Sequence, residues 1–66
     1  MKIWLNGEHT DVESKLTLAD LAQQQDLGKT RYAIEVNEEI IPRNEHLTHT
    51  LNEGDRVEIV TAIGGG

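Results

Sequence analysis

The sequence predicts an α+β fold: a mixed sheet of four to five strands laid against a single helix. Three observations predict it. Short stretches in which apolar and polar residues alternate occur near both ends of the chain and in its middle, at Lys2–Leu5, Arg31–Val36 and Arg56–Ala62. One stretch, Thr17–Gln25, carries apolar residues at helical spacing instead. Turn-forming residues, Asn6-Gly7 and Asn52-Glu53-Gly54-Asp55 among them, punctuate the chain between these segments.

The first strand places Ile3 and Leu5 on one face and Lys2 and Trp4 on the other. Asn6-Gly7 then closes a hairpin, because both central residues of a type I′ turn need positive φ. The returning segment Glu8–Val12 is polar, as suits an edge strand defended by charge against further pairing. In the helix, Thr17 is the N-cap and Asp20 lies in the first turn, where the helix dipole favours an acid. Leu18, Leu21 and Ala22 then share a face over about two turns, and Gly28 is the expected stop.

From Arg31 the period returns to two, with Tyr32, Ile34 and Val36 together. Asn37-Glu38-Glu39 reads as a turn, and Ile40-Ile41 as a strand cut short by Pro42, which has no N–H to donate. Arg43–Leu51 has no sustained period and is expected to be a loop with one irregular helical turn, Leu47 and Leu51 dipping into the core. In the last strand Val57 and Ile59 point inward and Glu58 and Val60 outward. Its apolar residues have both parities (Val57, Ile59, Val60, Ala62, Ile63), which suits a central strand with an apolar contact outside the main core. Two hairpins flanking one helix bury that helix most simply across a mixed sheet. This is the β-grasp, ubiquitin-like arrangement, with first and last strands side by side in the middle. It assigns residues 1–63 to the domain and 64–66 to a flexible glycine tail.

Composition narrows the function. The chain of 66 residues is one domain, and having no cysteine it can use neither disulfides nor a thiolate nucleophile. Twelve acidic against six basic residues give a formal charge of −6, which argues against nucleic acid as a partner and for a protein surface of complementary charge. No stretch reaches the roughly 18 apolar residues of a membrane span, and the opening residues run into a strand pattern, so a soluble cytoplasmic protein is expected.

The chemistry points to the end of the chain. Gly64-Gly65-Gly66 has no side chains and fits a slot too narrow for any other residue, and the terminal carboxylate is an anion able to attack an activated phosphate. Taken alone, a glycine end is also what a frayed terminus looks like.

The whole chain resembles the ThiS family of sulfur carriers of thiamin biosynthesis, and more broadly the ubiquitin-like carriers. The resemblance lies in the opening strand with Asn6-Gly7, in Val36-Asn37-Glu38-Glu39-Ile40-Ile41-Pro42-Arg43, in Gly54-Asp55-Arg56-Val57-Glu58-Ile59-Val60, and in Ala62-Ile63-Gly64-Gly65-Gly66. The family needs two terminal glycines, and Gly64 makes a third. The resemblance implies that a ubiquitin-activating-type (ThiF-like) enzyme uses ATP to join the Gly66 carboxylate to AMP. A sulfur donor protein then displaces AMP to leave a thiocarboxylate, and a thiazole synthase (ThiG-like) takes the sulfur. Gly64, Gly65 and Gly66 would thread into the partner's active site. On this reading the chain is a cosubstrate, not an enzyme, and binds no cofactor itself.

Other readings stay open at this level. A molybdopterin-synthase small subunit has the same type of end but is usually longer and more aromatic, and a protein modifier would form isopeptide adducts. Gly54–Thr61 also resembles the close of TGS binding modules, which continue into more protein, whereas this sequence stops at its glycines. Surface positions are expected for His9, His46 and His49 rather than a metal site, since no third ligand is in view. The adjacent Glu38 and Glu39 suit a solvated turn better than a catalytic pair. Trp4 lies on the face away from the helix, near Val60 if first and last strands pair. An exposed tryptophan there predicts a partner-docking patch of Trp4, Val60 and Ile63, the alternative being that Trp4 only covers its own sheet. Arg43 is read as balancing local acids, with contact to a partner as the alternative.

Overall fold

The computed structural model describes residues 1–27 and 30–61. Strand β1 (Lys2–Leu5) turns through Asn6 and Gly7 into β2 (Glu8–Asp11). Helix α1 (Leu18–Gln24) follows, then β3 (Tyr32–Val36), the short β4 (Glu39–Ile41), a 3-10 turn at Arg43–Glu45 and β5 (Arg56–Thr61). The five strands form one sheet in the order β2-β1-β5-β3-β4, so the last strand is central. It runs parallel to β1 and antiparallel to β3. This is the expected mixed sheet packed on one helix.

Local chemistry explains the elements. Asn6 (φ 50°) and Gly7 (φ 84°) both take the positive φ that a two-residue hairpin of this hand requires. The Asn6 side chain does more than permit the turn, because its Oδ1 accepts the Ile59 amide at 2.8 Å and so ties the hairpin to β5. Asn37 (φ 52°) and Glu38 (φ 73°) close the second hairpin in the same way. At the helix start the Thr17 hydroxyl accepts the Asp20 amide and the Asp20 carboxylate accepts the Thr17 amide, a reciprocal capping box. At the other end Gln25 is the C-cap, and the left-handed residue after it is Asp26 (φ 52°). Asp26 therefore takes the place expected of Gly28, which lies outside the described residues.

The alternation seen in the sequence sorts the two faces of the sheet. Ile3, Ile34 and Val57 point to the helix and pack with Leu18 and Leu21, all essentially inaccessible to water. Burial of each such side chain is worth about 1.5–3 kcal/mol, so these five dominate the stability of a core this small. The polar β2 and the Pro42-terminated β4 form the two edges.

Segment 43–51 departs from expectation. Leu51 is buried, but Leu47 is 78% exposed, while His46, expected at the surface, is 3% exposed. The reason lies in the helix terminus. The first amides of α1 have no partner within the helix, and here the Leu18 amide donates to the His49 carbonyl and the Ala19 amide to the His46 carbonyl, both at 3.0 Å. The Leu51 amide donates to the Leu16 carbonyl at 2.8 Å. These bonds set the phase of the segment, turning His46 and Leu51 inward and Leu47 out. The Ile41 carbonyl can only accept, so the 2.9 Å contact to His46 places the ring proton on Nε2.

Candidate functional site

The sheet first determines where the C-terminal segment departs. Five consecutive pairs join β5 to β3, from Val36↔Val57 to Tyr32↔Thr61, and β1 flanks β5 on its other side. The Asp55 carbonyl accepts the Trp4 amide at 2.8 Å and the Val57 carbonyl accepts the Asn6 amide at 2.9 Å. The strand is held along both edges from Arg56 to Ile59, and at Thr61 by its pairing with Tyr32 of β3. Ile63, Gly64, Gly65 and Gly66, the sequence-predicted tail residues, lie outside the described residues, as does Ala62.

The start of β5 is held by a second network. Asp55 is buried, and its carboxylate accepts the Asn52 amide (2.9 Å) and the Asn37 side-chain amide (3.1 Å). Asn37 Oδ1 in turn accepts the Arg56 amide at 3.0 Å. Gly54, at φ 83°, supplies the left-handed turn that brings the chain to this point.

Trp4 and Val60 both face away from the helix, 43% and 54% exposed. They are not neighbours. Trp4 pairs with Arg56, four residues before Val60, which at strand rise is a separation of about 13 Å. First and last strands pair as expected, but the register parts the two residues. Trp4 instead stacks on His9, its cross-strand partner, with ring centroids 4.5 Å apart. Val60 stands opposite Ala33, and Ile40, 68% exposed, stands opposite Glu35 on the same face. Between the apolar points lie Glu35 and Glu58, paired directly across the ladder. The outer face therefore carries Glu35 and Glu58 beside Arg56, with apolar spots around them.

The helix-side face holds a residue pair that sequence reasoning missed. The Arg43 guanidinium lies 4.1 Å from the centre of the Tyr32 ring, and its Nη2 donates to the Tyr32 carbonyl at 3.1 Å. Among the described residues it is in ion-pair contact with no carboxylate; the ion pair found there is Lys2–Asp11. Arg43 is thus a cation stacked on an aromatic ring. No spacing rule links positions 11 apart in different elements, so no signal in the sequence announced the pair. Among the described residues no three side chains of metal-ligating type gather, and no helix is long and apolar enough to cross a membrane.

The comparisons agree with this geometry. The model of the ThiS family matches residues 3–66. A thiazole synthase of Paramagnetospirillum magneticum is 35% identical over 66 residues, all of this chain but only 20% of that protein, so the chain spans about a fifth of that relative. The sulfur carrier protein ThiS of Thermus thermophilus is 34% identical, with 97% of this chain and 98% of that one covered. The crystal structure of the thiamine biosynthesis protein ThiS from Geobacter metallireducens superposes with a TM-score of 0.84 at 26% identity, covering 100% of both chains. Proteins of this kind are carriers rather than enzymes. With a β5 mounted at the sheet centre, a matching β-grasp structure and a family match running to the last glycine, the chain belongs to the ThiS family.

Proposed function

We infer that this chain is a sulfur carrier for thiazole formation in thiamin biosynthesis, working through the carboxylate of Gly66. A carboxylate resists acyl transfer because oxide is a poor leaving group. Attack by a carboxylate oxygen on the α-phosphate of ATP, held by a ThiF-like enzyme, releases pyrophosphate and gives a mixed anhydride with AMP. A sulfur nucleophile from a donor protein then adds at the acyl carbon and AMP leaves. With the outer sulfur of a donor persulfide as nucleophile the product is an acyl disulfide; a second thiol cleaves its S–S bond, ending as a disulfide with the donor sulfur, and leaves a thiocarboxylate, whose sulfur a thiazole synthase takes up. Gly64 and Gly65 serve as the side-chain-free approach that lets Gly66 enter both active sites. We place this chemistry in the cytoplasm.

The observation that carries the reading is the family match through Gly66 on a chain whose last strand is the sheet's central one. The relative in which the same unit is a fifth of a thiazole synthase supports that enzyme as the sulfur acceptor. Intact-protein mass spectrometry of the chain isolated from thiamin-starved cells tests it. The expected result is a fraction heavier by one sulfur-for-oxygen exchange, mapped to the peptide ending in Gly66. An unmodified mass, with no AMP transfer from ATP in the presence of the activating enzyme, overturns it.

A further inference from the structure

On the helix side of the sheet, a groove of about 550 Å³ runs between α1 and the 3-10 turn, lined by Ala22, Leu27, Tyr32 and Leu47, with Arg43 on one side and Asp26 among its polar lining. Three features make it more than a crease in the surface. First, it adjoins the root of the tail: Tyr32, which lines it, is the residue paired with Thr61. The groove therefore lies beside the point at which the described part of the last strand ends. Second, Leu47 is the most exposed of the large apolar side chains among the described residues, and the hydrogen bonds that turn it outward leave it without a role in the core. Third, Arg43 is a cation already held in one place by the Tyr32 ring and carbonyl. An anchored guanidinium loses little freedom on meeting a carboxylate and accepts it with directional N–H donors. In a chain with twice as many acids as bases, a guanidinium with no carboxylate among the described residues is poised for one from outside.

We propose that this groove is the docking site for thiazole synthase, which fills it with an apolar side chain beside Leu47 and sets a carboxylate on Arg43. The proposal rests on the carrier reading above. The synthase is favoured as occupant because the same unit occurs within a thiazole synthase polypeptide in the relative described above, which makes the two surfaces partners in one protein. The surface is separate from the outer face that carries Trp4 and Val60, since Tyr32 and Trp4 lie on opposite sides of the sheet. A carrier that must meet an activating enzyme and a synthase in turn thus has two separate faces to offer them.

The test uses the full chain and its Leu47→Asp and Arg43→Glu variants. Binding to the cognate thiazole synthase is measured by isothermal titration, and AMP transfer is measured with the activating enzyme and ATP. Circular dichroism melts check the fold; should Arg43→Glu melt early, Leu47→Asp, at an exposed position, still decides. The expected result is synthase binding weakened by about tenfold or more in each variant, the scale of an interface hot spot, with AMP transfer unchanged. Unchanged synthase binding overturns the proposal, and so does an equal loss of both activities in folded variants. If the unaltered chain neither binds synthase nor accepts AMP, the carrier reading itself falls. If it accepts AMP but shows no synthase binding, only the docking proposal falls.

Discussion

Thr61 and Tyr32 face each other across the β5–β3 ladder, and the Tyr32 ring carries the Arg43 guanidinium at 4.1 Å. The last described residue of the central strand is thus paired with the residue whose ring, on the helix side of the sheet, holds a cation in place. The root of the reactive segment is built into the folded body, while the proposed chemistry takes place five residues further along. Fold and reactivity should therefore separate under mutation.

Deletion of Gly66 tests that separation most directly. The core is made by Ile3, Leu18, Leu21, Ile34 and Val57, none of which lies near the last residue in sequence, so the melting temperature should not change. AMP transfer should fall below detection, because the carboxylate moves back by one residue from the position at which it is attacked. Addition of one residue after Gly66 should act in the same way. Retained pyrophosphate release in either variant would sink the assignment of Gly66.

Replacement of Trp4 by Ala removes the stack on His9 and an exposed ring on the outer face. Stability should drop by about 0.5–1.5 kcal/mol, the value of an aromatic pair. If the ring anchors the activating enzyme, affinity should drop by about 2 kcal/mol or more, as for interface hot spots. Urea melts and a titration with that enzyme give the two numbers, and equal losses would mark Trp4 as a cover for its own sheet.

Asp55→Ala should be the most damaging of the polar changes considered. The carboxylate is buried and holds the Asn52 amide and the Asn37 side chain, which in turn holds the Arg56 amide. Leaving these donors unpaired costs about 1–3 kcal/mol, measurable by urea unfolding. Because β5 begins at Arg56, the loss should appear in hydrogen exchange first at the strand's start.

Glu35→Lys reverses a like-charge pair, since Glu35 and Glu58 stand directly opposite on the outer face. Stability should rise by about 0.2–1 kcal/mol, with the gain shrinking in high salt. If that acidic pair attracts a basic partner surface, association with the activating enzyme should slow at low ionic strength although the fold is firmer. A faster association would show that the acids serve solubility alone.

Much of the architecture was legible because it rests on local rules. The alternation of Ile3 and Leu5, of Tyr32, Ile34 and Val36, and of Val57 and Ile59 predicts both the strands and the faces they present, since neighbouring side chains on a strand point to opposite sides. Asn6-Gly7 and the Thr17–Asp20 pair announce the turn and the cap through the backbone conformations and hydrogen bonds that only a few residue types supply. The proposal of Gly66 as the reactive residue is likewise a reading of residue chemistry and family resemblance into which no fold enters. What only the tertiary structure decided are the relationships between elements distant in sequence. Register separated Trp4 from Val60, because one extra rung of pairing shifts a neighbour by a full residue and no local preference fixes that count. The unpaired amides at the start of α1 decided that His46, not Leu47, turns inward. Packing, not spacing, laid Arg43 on Tyr32. These outcomes depend on which donors and which surfaces meet when helix, loop and sheet close on one another, and the sequence read segment by segment does not contain that meeting.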